Sequence, residues 1–266
     1  MSDYKQSVIA LFNSRTSYDI EGEKQPREAK KLLASIKVQS GQNILDLATG
    51  TGLLAIPAAK KVAPNGSVIG VDFSSGMLAQ AKEKIAAAKI DNLELIEADI
   101  DLVEFKAEQF NVVFCCSSIV FMVDIPSVIN KCYEWLKPKG CLAFTTPYKT
   151  AYMADIHVRL CRELFDIDLP HITRPLWTPE KCCWQLQQSG FTDIKVEIDR
   201  TKRFKKNDFA MAWRGANFYP RGNPLENLSD AQRELLLAEY QEAIKPQLHK
   251  DGVWQDSTTL YVQARK

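Results

Sequence analysis

Three carboxylates and two glycines within the first hundred residues have the types and the spacing to hold a small ligand. The stretch "ILDLATGTGLLA", Ile44–Ala55, places Asp46 at the end of an apolar run, four residues ahead of Gly50, with Gly52 close behind. Asp72 falls at the end of "GSVIGVDF" and Asp99 closes "NLELIEAD". Glycines at the carboxyl end of a first parallel strand let the backbone approach a ligand, and the next helix presents its free N–H groups there. Gly50 to Ala55 also satisfies G-x-G-x-x-A, with Asp72 about 20 residues further on, as a dinucleotide fingerprint asks. A phosphate-binding P-loop is excluded, because no Gly-Lys-Ser or Gly-Lys-Thr follows. Asp46 pulls away from a dinucleotide as well: a carboxylate aimed into the turn repels a pyrophosphate and welcomes an ammonium group. Three acids on one sheet edge suit a phosphate-free ligand with hydroxyls, amines and positive charge.

These residues need a frame. From about Gly41 to Pro147 short β-rich runs alternate with helical patterns, the mark of a parallel sheet built from βαβ units. Strands are expected at "NILDLA", "GSVIGVDF", "NLELIEAD", "FNVVFCCSS" and "CLAFTTP", and helices at "LLAIPAAKKVA", "SSGMLAQAKEKIAAAK" and "IPSVINKCYEWLK". "APNG" and "KPKG" read as turns ahead of strands, and Ser74 or Ser75 as the cap of the helix after Asp72. Pro57 falls in the first turns of its helix, where a missing N–H costs least. Beyond Pro147, helices over "TAYMADIHVRLCRELFDI" and "TPEKCCWQLQQSG" precede a strand, "FTDIKVEIDR". Residues from about 203 to 255 read as a mixed insertion carrying the amphipathic helix "SDAQRELLLAEYQEAIK", and "STTLYVQARK" as a closing strand.

The whole chain sets bounds. Its 266 residues fit one large α/β domain with insertions, 1–266. With 34 basic against 33 acidic residues, the net charge of +1 gives no field that would gather nucleic acid or an anionic membrane. "RTKRFKK", Arg200–Lys206, has acidic residues on both sides and reads as a solvated strand end or loop. There is no signal-peptide pattern and no run of membrane-spanning length, so a cytoplasmic location is expected. Seven cysteines without a C-x-x-C pair argue against a zinc site or a disulfide framework, and no metal is expected. Cys115, Cys132 and Cys141 sit in apolar segments as small hydrophobes.

Residues 41–147, through "ILDLATGTG", "GVDFSSGML" and "EADI", resemble the class I S-adenosylmethionine-dependent methyltransferases, in the branch with the ubiquinone and menaquinone C-methyltransferases. That family's motif is acid-x-Gly-x-Gly-x-Gly; here Asp46, Ala48, Gly50 and Gly52 stand in it, with alanine for the first glycine. The resemblance implies an α/β, Rossmann-like, doubly wound, mostly parallel seven-stranded sheet with helical cap insertions. It implies a helical amino-terminal lid (1–40), a cofactor-binding core (41–147), further core elements with substrate-cap insertions (148–255) and a closing strand (256–266). S-adenosylmethionine is the implied cofactor, with Asp46 and the backbone from Ala48 to Gly50 holding its methionine portion. Asp72 and Phe73 would lie at the ribose, Met77 on the adenine ring, and Asp99 with Ile100 at the adenine amino group. Cys116 and Ser117 would floor the sulfonium, and Tyr18 would close over the methionine end; Phe12 and Arg27 belong to the same lid.

The reaction so implied is in-line displacement at a sulfonium methyl by an oxygen, nitrogen or carbon nucleophile, with O- or C-methylation of a small organic acceptor favoured. Most of the acceleration then comes from alignment and exclusion of water. A hydroxyl acceptor would gain from a base, and His157 and His171 in the later insertion are the candidates, while His249 reads as surface. Trp177, Trp184, Trp213, Phe218 and Tyr219 could wall a flat or greasy acceptor. Two other readings stay open: an NAD-dependent oxidoreductase, on the G-x-G-x-x-A match, and a non-catalytic adenosyl-ligand binder.

Overall fold

The computed structural model describes residues 2–205, 219–220, 222–250 and 252–266. In chain order the elements are α1 (Asp3–Asn13), α2 (Lys24–Ser35), β1 (Asn43–Leu47), α3 (Ala55–Val62), β2 (Ser67–Asp72), α4 (Ser75–Ala87) and β3 (Leu93–Glu97). Then come β4 (Phe110–Cys115), α5 (Ile125–Trp135), β5 (Leu136–Pro147), α6 (Ala154–Phe165), α7 (Pro179–Gln188) and β6 (Thr192–Asp199). The last are β7 (Lys202–Lys205), α8 (Asp230–Ile244), β8 (Leu248–His249), β9 (Gly252–Asp256) and β10 (Thr259–Arg265).

Seven strands form one sheet in the order β3-β2-β1-β4-β5-β10-β6. β10 runs antiparallel to both its neighbours, and the other pairings are parallel. The strand order reverses between β1 and β4, and a crevice at the carboxyl ends on either side of such a switch is where ligands bind in open α/β sheets. β7, β8 and β9 make a separate antiparallel sheet.

Adjacent residues along each central strand are buried on opposite faces. Leu45, Val113, Phe144 and Val262 pack with Ile129, Trp135 and Leu186 on one side. Ile44, Val112, Phe114 and Tyr261 pack with Leu32, Leu54, Ala58 and Val62 on the other. A third cluster, including Leu160, Cys161, Tyr219, Leu236, Tyr240 and Ile244, ties α6 to α8. Local chemistry starts the helices where the sequence asks. Ser74 accepts from the Met77 N–H, Thr178 from the Lys181 N–H with Pro179 at the first turn, and Ser229 forms a capping box with Gln232. α7 stops before Gly190, whose φ of +89° continues no helix.

One expected turn is absorbed into a strand. "KPKG" lies inside β5, where the register slips between Phe110 opposite Leu136 and Val112 opposite Cys141. The extra residues bulge, with Lys139 at φ +65°.

Candidate active site

Two adjoining recesses open at the carboxyl edge of the sheet, and five side chains, Phe12, Tyr18, Gln25, Ser117 and Phe121, border both. The first is built at the tips of β1 and β2 and the loop after β3. Ala48, Gly50 and Gly52 all have positive φ, between +53° and +79°, so the chain turns sharply and brings its backbone into the recess. Alanine in this region costs about 1–2 kcal/mol relative to glycine, which is why a glycine pattern suits position 48.

Asp46 is 2% exposed and accepts from Thr49 Oγ1 at 2.7 Å. Burial pushes its carboxyl up to about 7, the charge of Asp72 adds to this, and the Thr49 and Ala55 hydrogen bonds oppose it. Asp72 accepts from the Gly50 N–H through Oδ2 and from the Ser74 N–H through Oδ1, each at 2.8 Å, pinning the glycine turn to the start of α4. Burial raises its pKa against those same bonds. Met77 and Ile100 are buried in the wall. Every residue expected to touch the cofactor lines this recess except Gly52, which shapes the turn through its N–H to Thr49 O at 2.9 Å.

Asp99 differs from its expected setting. β3 ends at Glu97, so Asp99 sits in the following turn, where its Oδ1 accepts from the Asp101 N–H at 3.0 Å and its Oδ2 pairs with Lys5. Lys5 also pairs with Asp101 at 2.7 Å. Nothing in the local sequence announces this cation, which arrives from α1. Further contacts hold the amino-terminal segment across the recess. Tyr4 donates to Phe121 O at 2.9 Å, Asn13 Oδ1 accepts from Ser74 Oγ at 2.7 Å and from the Gly76 N–H at 3.0 Å, and Asp19 pairs with Lys84 at 2.6 Å and holds Thr51. A side chain at Gly76 would come within 3.2 Å of the Asn13 backbone, so the approach depends on glycine there.

The second recess has an apolar wall of Phe12, Phe121, Val120 and Ile172 and a polar end. Phe12 meets Phe121 edge-on at 5.5 Å, and the Arg15 guanidinium lies 4.3 Å from the Tyr18 ring centre. At the polar end Glu28, 1% exposed, accepts from Thr259 Oγ1 at 2.6 Å and from Ser117 Oγ, and pairs with Lys24 at 3.3 Å. Lys24 Nζ also contacts the Tyr152 hydroxyl and sits 4.7 Å from that ring's centre. Burial alone would lower the Lys24 pKa, but Glu28 and Tyr152 raise it overall, so it stays an ammonium. Burial pushes the Cys116 thiol up to about 12, with the Glu28 charge adding, so it is protonated and inert near neutrality.

The two expected bases part company. His171 lines the second recess, and burial, helped by the Arg174 charge, pushes its pKa down to about 4. Its Nδ1 accepts from the Thr173 N–H at 3.3 Å, so the neutral ring carries its proton on Nε2 and faces the cavity as a neutral group. His157 lines neither recess. It stacks on Tyr240 at 4.6 Å beside the third cluster, and burial pushes its pKa down to about 3. It is a core side chain, not a base for this site.

The aromatic wall is also not where the sequence put it. Trp184 is 60% exposed, Trp177 carries Arg174 and Lys181 against its ring, and Tyr219 belongs to the third cluster. Trp213 and Phe218 lie outside the described residues. The rings that do line the recess come from the amino-terminal segment and the short turns after β4 and β5. Arg27 reaches Thr201 Oγ1 at 2.9 Å, away from both recesses. Among the described residues no group of three His, Cys, Asp or Glu is arranged to hold a metal, and no helix is long and apolar enough to cross a membrane.

Known proteins share this frame. A methyltransferase-domain family model matches residues 44–140. The chain is 30% identical over 148 residues to aklanonic acid methyltransferase of Streptomyces sp. (strain C5), which covers 55% of this chain and 67% of that one. It is 34% identical over 114 residues to demethylmenaquinone methyltransferase of Listeria monocytogenes serotype 4a (strain HCC23), and there the chain spans 48% of the relative's length. Among solved structures, an S-adenosylmethionine-dependent methyltransferase from Aquifex aeolicus superposes with a TM-score of 0.53 at 14% identity, over 100% of this chain and 99% of that one. At these identities the structural likeness speaks for the fold.

Proposed function

The chain belongs to the class I S-adenosylmethionine-dependent methyltransferases, and on that premise we propose that it moves a methyl group from S-adenosylmethionine to an oxygen or carbon of a small, largely apolar acceptor. The observation that carries the reading is Asp46. It is a fully buried carboxylate that no Lys or Arg among the described residues neutralises, and burial, with the charge of Asp72, has pushed its pKa up to about 7. An ammonium group supplies that counter-charge, and a pyrophosphate would worsen the deficit. The dinucleotide reading asks for the opposite electrostatics at the same turn.

The chain's own residues then divide the work. Asp46 and the backbone of the Ala48–Gly50 turn hold the amino-acid end, Asp72 with Phe73 the ribose, and Met77, Ile100 and Asp99 the adenine edge. When bound, S-adenosylmethionine supplies a methyl group already activated by its sulfonium. Phe12, Tyr18 and Phe121 stand where the two recesses meet and exclude water from the transfer. Cys116 and Ser117 floor that junction, and the second recess aligns the acceptor.

Thermal unfolding tests the reading. S-adenosylhomocysteine at about a hundred times its dissociation constant is expected to add roughly 2.7 kcal/mol of stability, while NAD leaves the midpoint unchanged. A shift with NAD alone would overturn the proposed transfer reaction. Binding without transfer of labelled methyl to any component of a small-metabolite extract would leave a non-catalytic binder.

A further inference from the structure

We propose that the second recess takes an acceptor bearing an acidic hydroxyl, a phenol or enol, on a flat apolar body, with Glu28 accepting its proton and Lys24 pairing the resulting oxyanion. The inference rests on the methyl-transfer reading above and adds the substrate class and two residues to it.

The inward face of α2 carries an anomaly. Its inward row runs Lys24, Glu28, Leu32, so two charges occupy the stripe that the rest of the helix gives to the core. Burying an ion pair returns little net stability against an apolar pair of the same size. Here the pair is nevertheless set deeply, and three further elements converge on it: Thr259 at the start of β10, Ser117 after β4, and Tyr152 after β5. Ser117 and Thr259 fix the carboxylate, and Tyr152 holds the ammonium. Both charges line the recess, and Ser117 is also a wall residue of the first. The pair therefore stands beside the junction where the methyl group is transferred.

Charge bookkeeping selects the acceptor. His171 is neutral and Arg15 is paired with Glu21, so the recess carries one ammonium and one carboxylate already in balance. A cationic amine would leave an excess positive charge in a buried space. A hydroxyl that gives its proton to Glu28 leaves the balance unchanged, because the new oxyanion replaces the carboxylate as the partner of Lys24. The acceptor O–H bond breaks and its proton goes to a Glu28 oxygen. The electron pair on the acceptor oxygen forms the bond to the methyl carbon as the carbon–sulfur bond breaks, and that bond's pair returns to sulfur and cancels its positive charge. The proton on Glu28 then leaves to solvent through the mouth of the recess. The groups facing Glu28 through this cycle are Lys24 on its own helix, Tyr18 from the segment before α2, and Ser117, Thr259, Cys116 and Tyr261 from the sheet.

The experiment uses the full chain, S-adenosylmethionine labelled in its methyl group, and three probes: 1-naphthol, 4-nitrophenol and the cationic amine 1-naphthylmethylamine. The wild type is expected to label both hydroxyl probes and to leave the amine at background. Glu28→Gln is expected to lose at least about 100-fold in kcat/KM with 1-naphthol, the usual worth of a positioned base. With 4-nitrophenol, which ionises unaided near neutral pH, the same variant is expected to lose less than about 5-fold. Raising the pH restores 1-naphthol turnover in that variant. Lys24→Met is expected to weaken both hydroxyl probes together. S-adenosylhomocysteine binding, read by calorimetry in each variant, is expected to stay at the wild-type value because neither residue lines the first recess. Absence of that binding in the wild type would overturn the methyl-transfer reading itself. Intact binding with equal losses for the two hydroxyl probes, with labelled naphthylmethylamine, or with no labelled hydroxyl probe would overturn the acceptor assignment alone.

Discussion

The two recesses each contain an almost fully buried carboxylate, and the two carboxylates are treated in opposite ways. Asp46 lies under the glycine turn with Thr49 as its side-chain donor and no cation, and its pKa has risen to about 7. Glu28 lies at the far end of the second recess with Lys24, Thr259 and Ser117 around it. On the proposed reading the first site gains its cation from solution, whereas the second carries its own. A pocket that must gain a charge binds strongly and selectively. A pocket already balanced can exchange a proton with whatever enters it. That is a reasonable division of labour between a cosubstrate held by charge and an acceptor activated in place.

Replacing Asp46 by Asn is the hardest blow to the comparison, and it is expected to move binding and stability in opposite directions. Calorimetry should register a loss of at least about 100-fold in affinity for S-adenosylhomocysteine, since the ammonium loses a charge-assisted, desolvated partner worth about 2–5 kcal/mol. The free protein should become more stable. Because the folded pKa of Asp46 lies above its ordinary value of 3.8, the folded state holds the proton longer than the unfolded chain does. Asp46 therefore contributes a loss of stability as pH rises from about 4 to about 7, and the variant lacks that contribution. The gap between their melting temperatures should widen across this window and stay constant above it. An unchanged affinity would remove the contrast between the two recesses.

A smaller effect is expected at the lid. Lys5→Met leaves Asp99 and Asp101 facing each other without their cation, on side chains only 11–12% exposed. Repulsion between the two should loosen α1 from the recess. Faster release of S-adenosylhomocysteine, with affinity down about 10-fold, is the expected stopped-flow result. Adding Asp101→Asn should recover part of the loss, because the double variant removes the repulsion that the single variant creates. If the single variant binds as the wild type does, the latch at the adenine end plays no part in holding the cosubstrate.

How far the sequence carried depends on how locally each feature is encoded. The strands and helices were legible because burial on both faces gives short apolar runs and the caps Ser74, Thr178 and Ser229 stand beside the elements they start. The first recess was legible for the same reason: Asp46, Gly50 and Asp72 sit at successive strand tips, where topology alone brings them together. Lys5 was not, since α1 is remote in sequence from Asp99. The second recess is legible only in part: the sequence offers the aromatics after residue 148 as its wall, but Phe12, Tyr18, Phe121 and Tyr152 supply its aromatic rings. Aromatic richness marks a core as readily as a pocket, and Tyr219 went to the core. The sequence does carry one signal for it: Lys24 and Glu28 fall in register with Leu32 on the inward face of α2. Charges on an apolar stripe ask for a partner or a function.

The histidines give the smallest effects and the finest test of the second recess. Both have pKa values pushed below 6.5 by burial, His171 to about 4 and His157 to about 3. A group that resists protonation only when folded contributes stability above its ordinary pKa and loses it as pH falls toward the folded value. The two histidines therefore contribute a loss of stability as pH falls from about 6.5 towards 4, opposite in sign to the Asp46 contribution, and His157→Phe, which keeps a ring against Tyr240, should remove part of that contribution while leaving methyl transfer unchanged. His171→Asn should raise the KM for a hydroxyl acceptor a few-fold, as the loss of one neutral hydrogen bond of about 1 kcal/mol would, with kcat little altered. Neither variant should move a limb of the kcat/KM profile near pH 6.5, because neither ring titrates there in the folded protein. A limb at that pH which disappears in His171→Asn would make the imidazole, and not the Glu28 carboxylate, the group that takes the acceptor's proton.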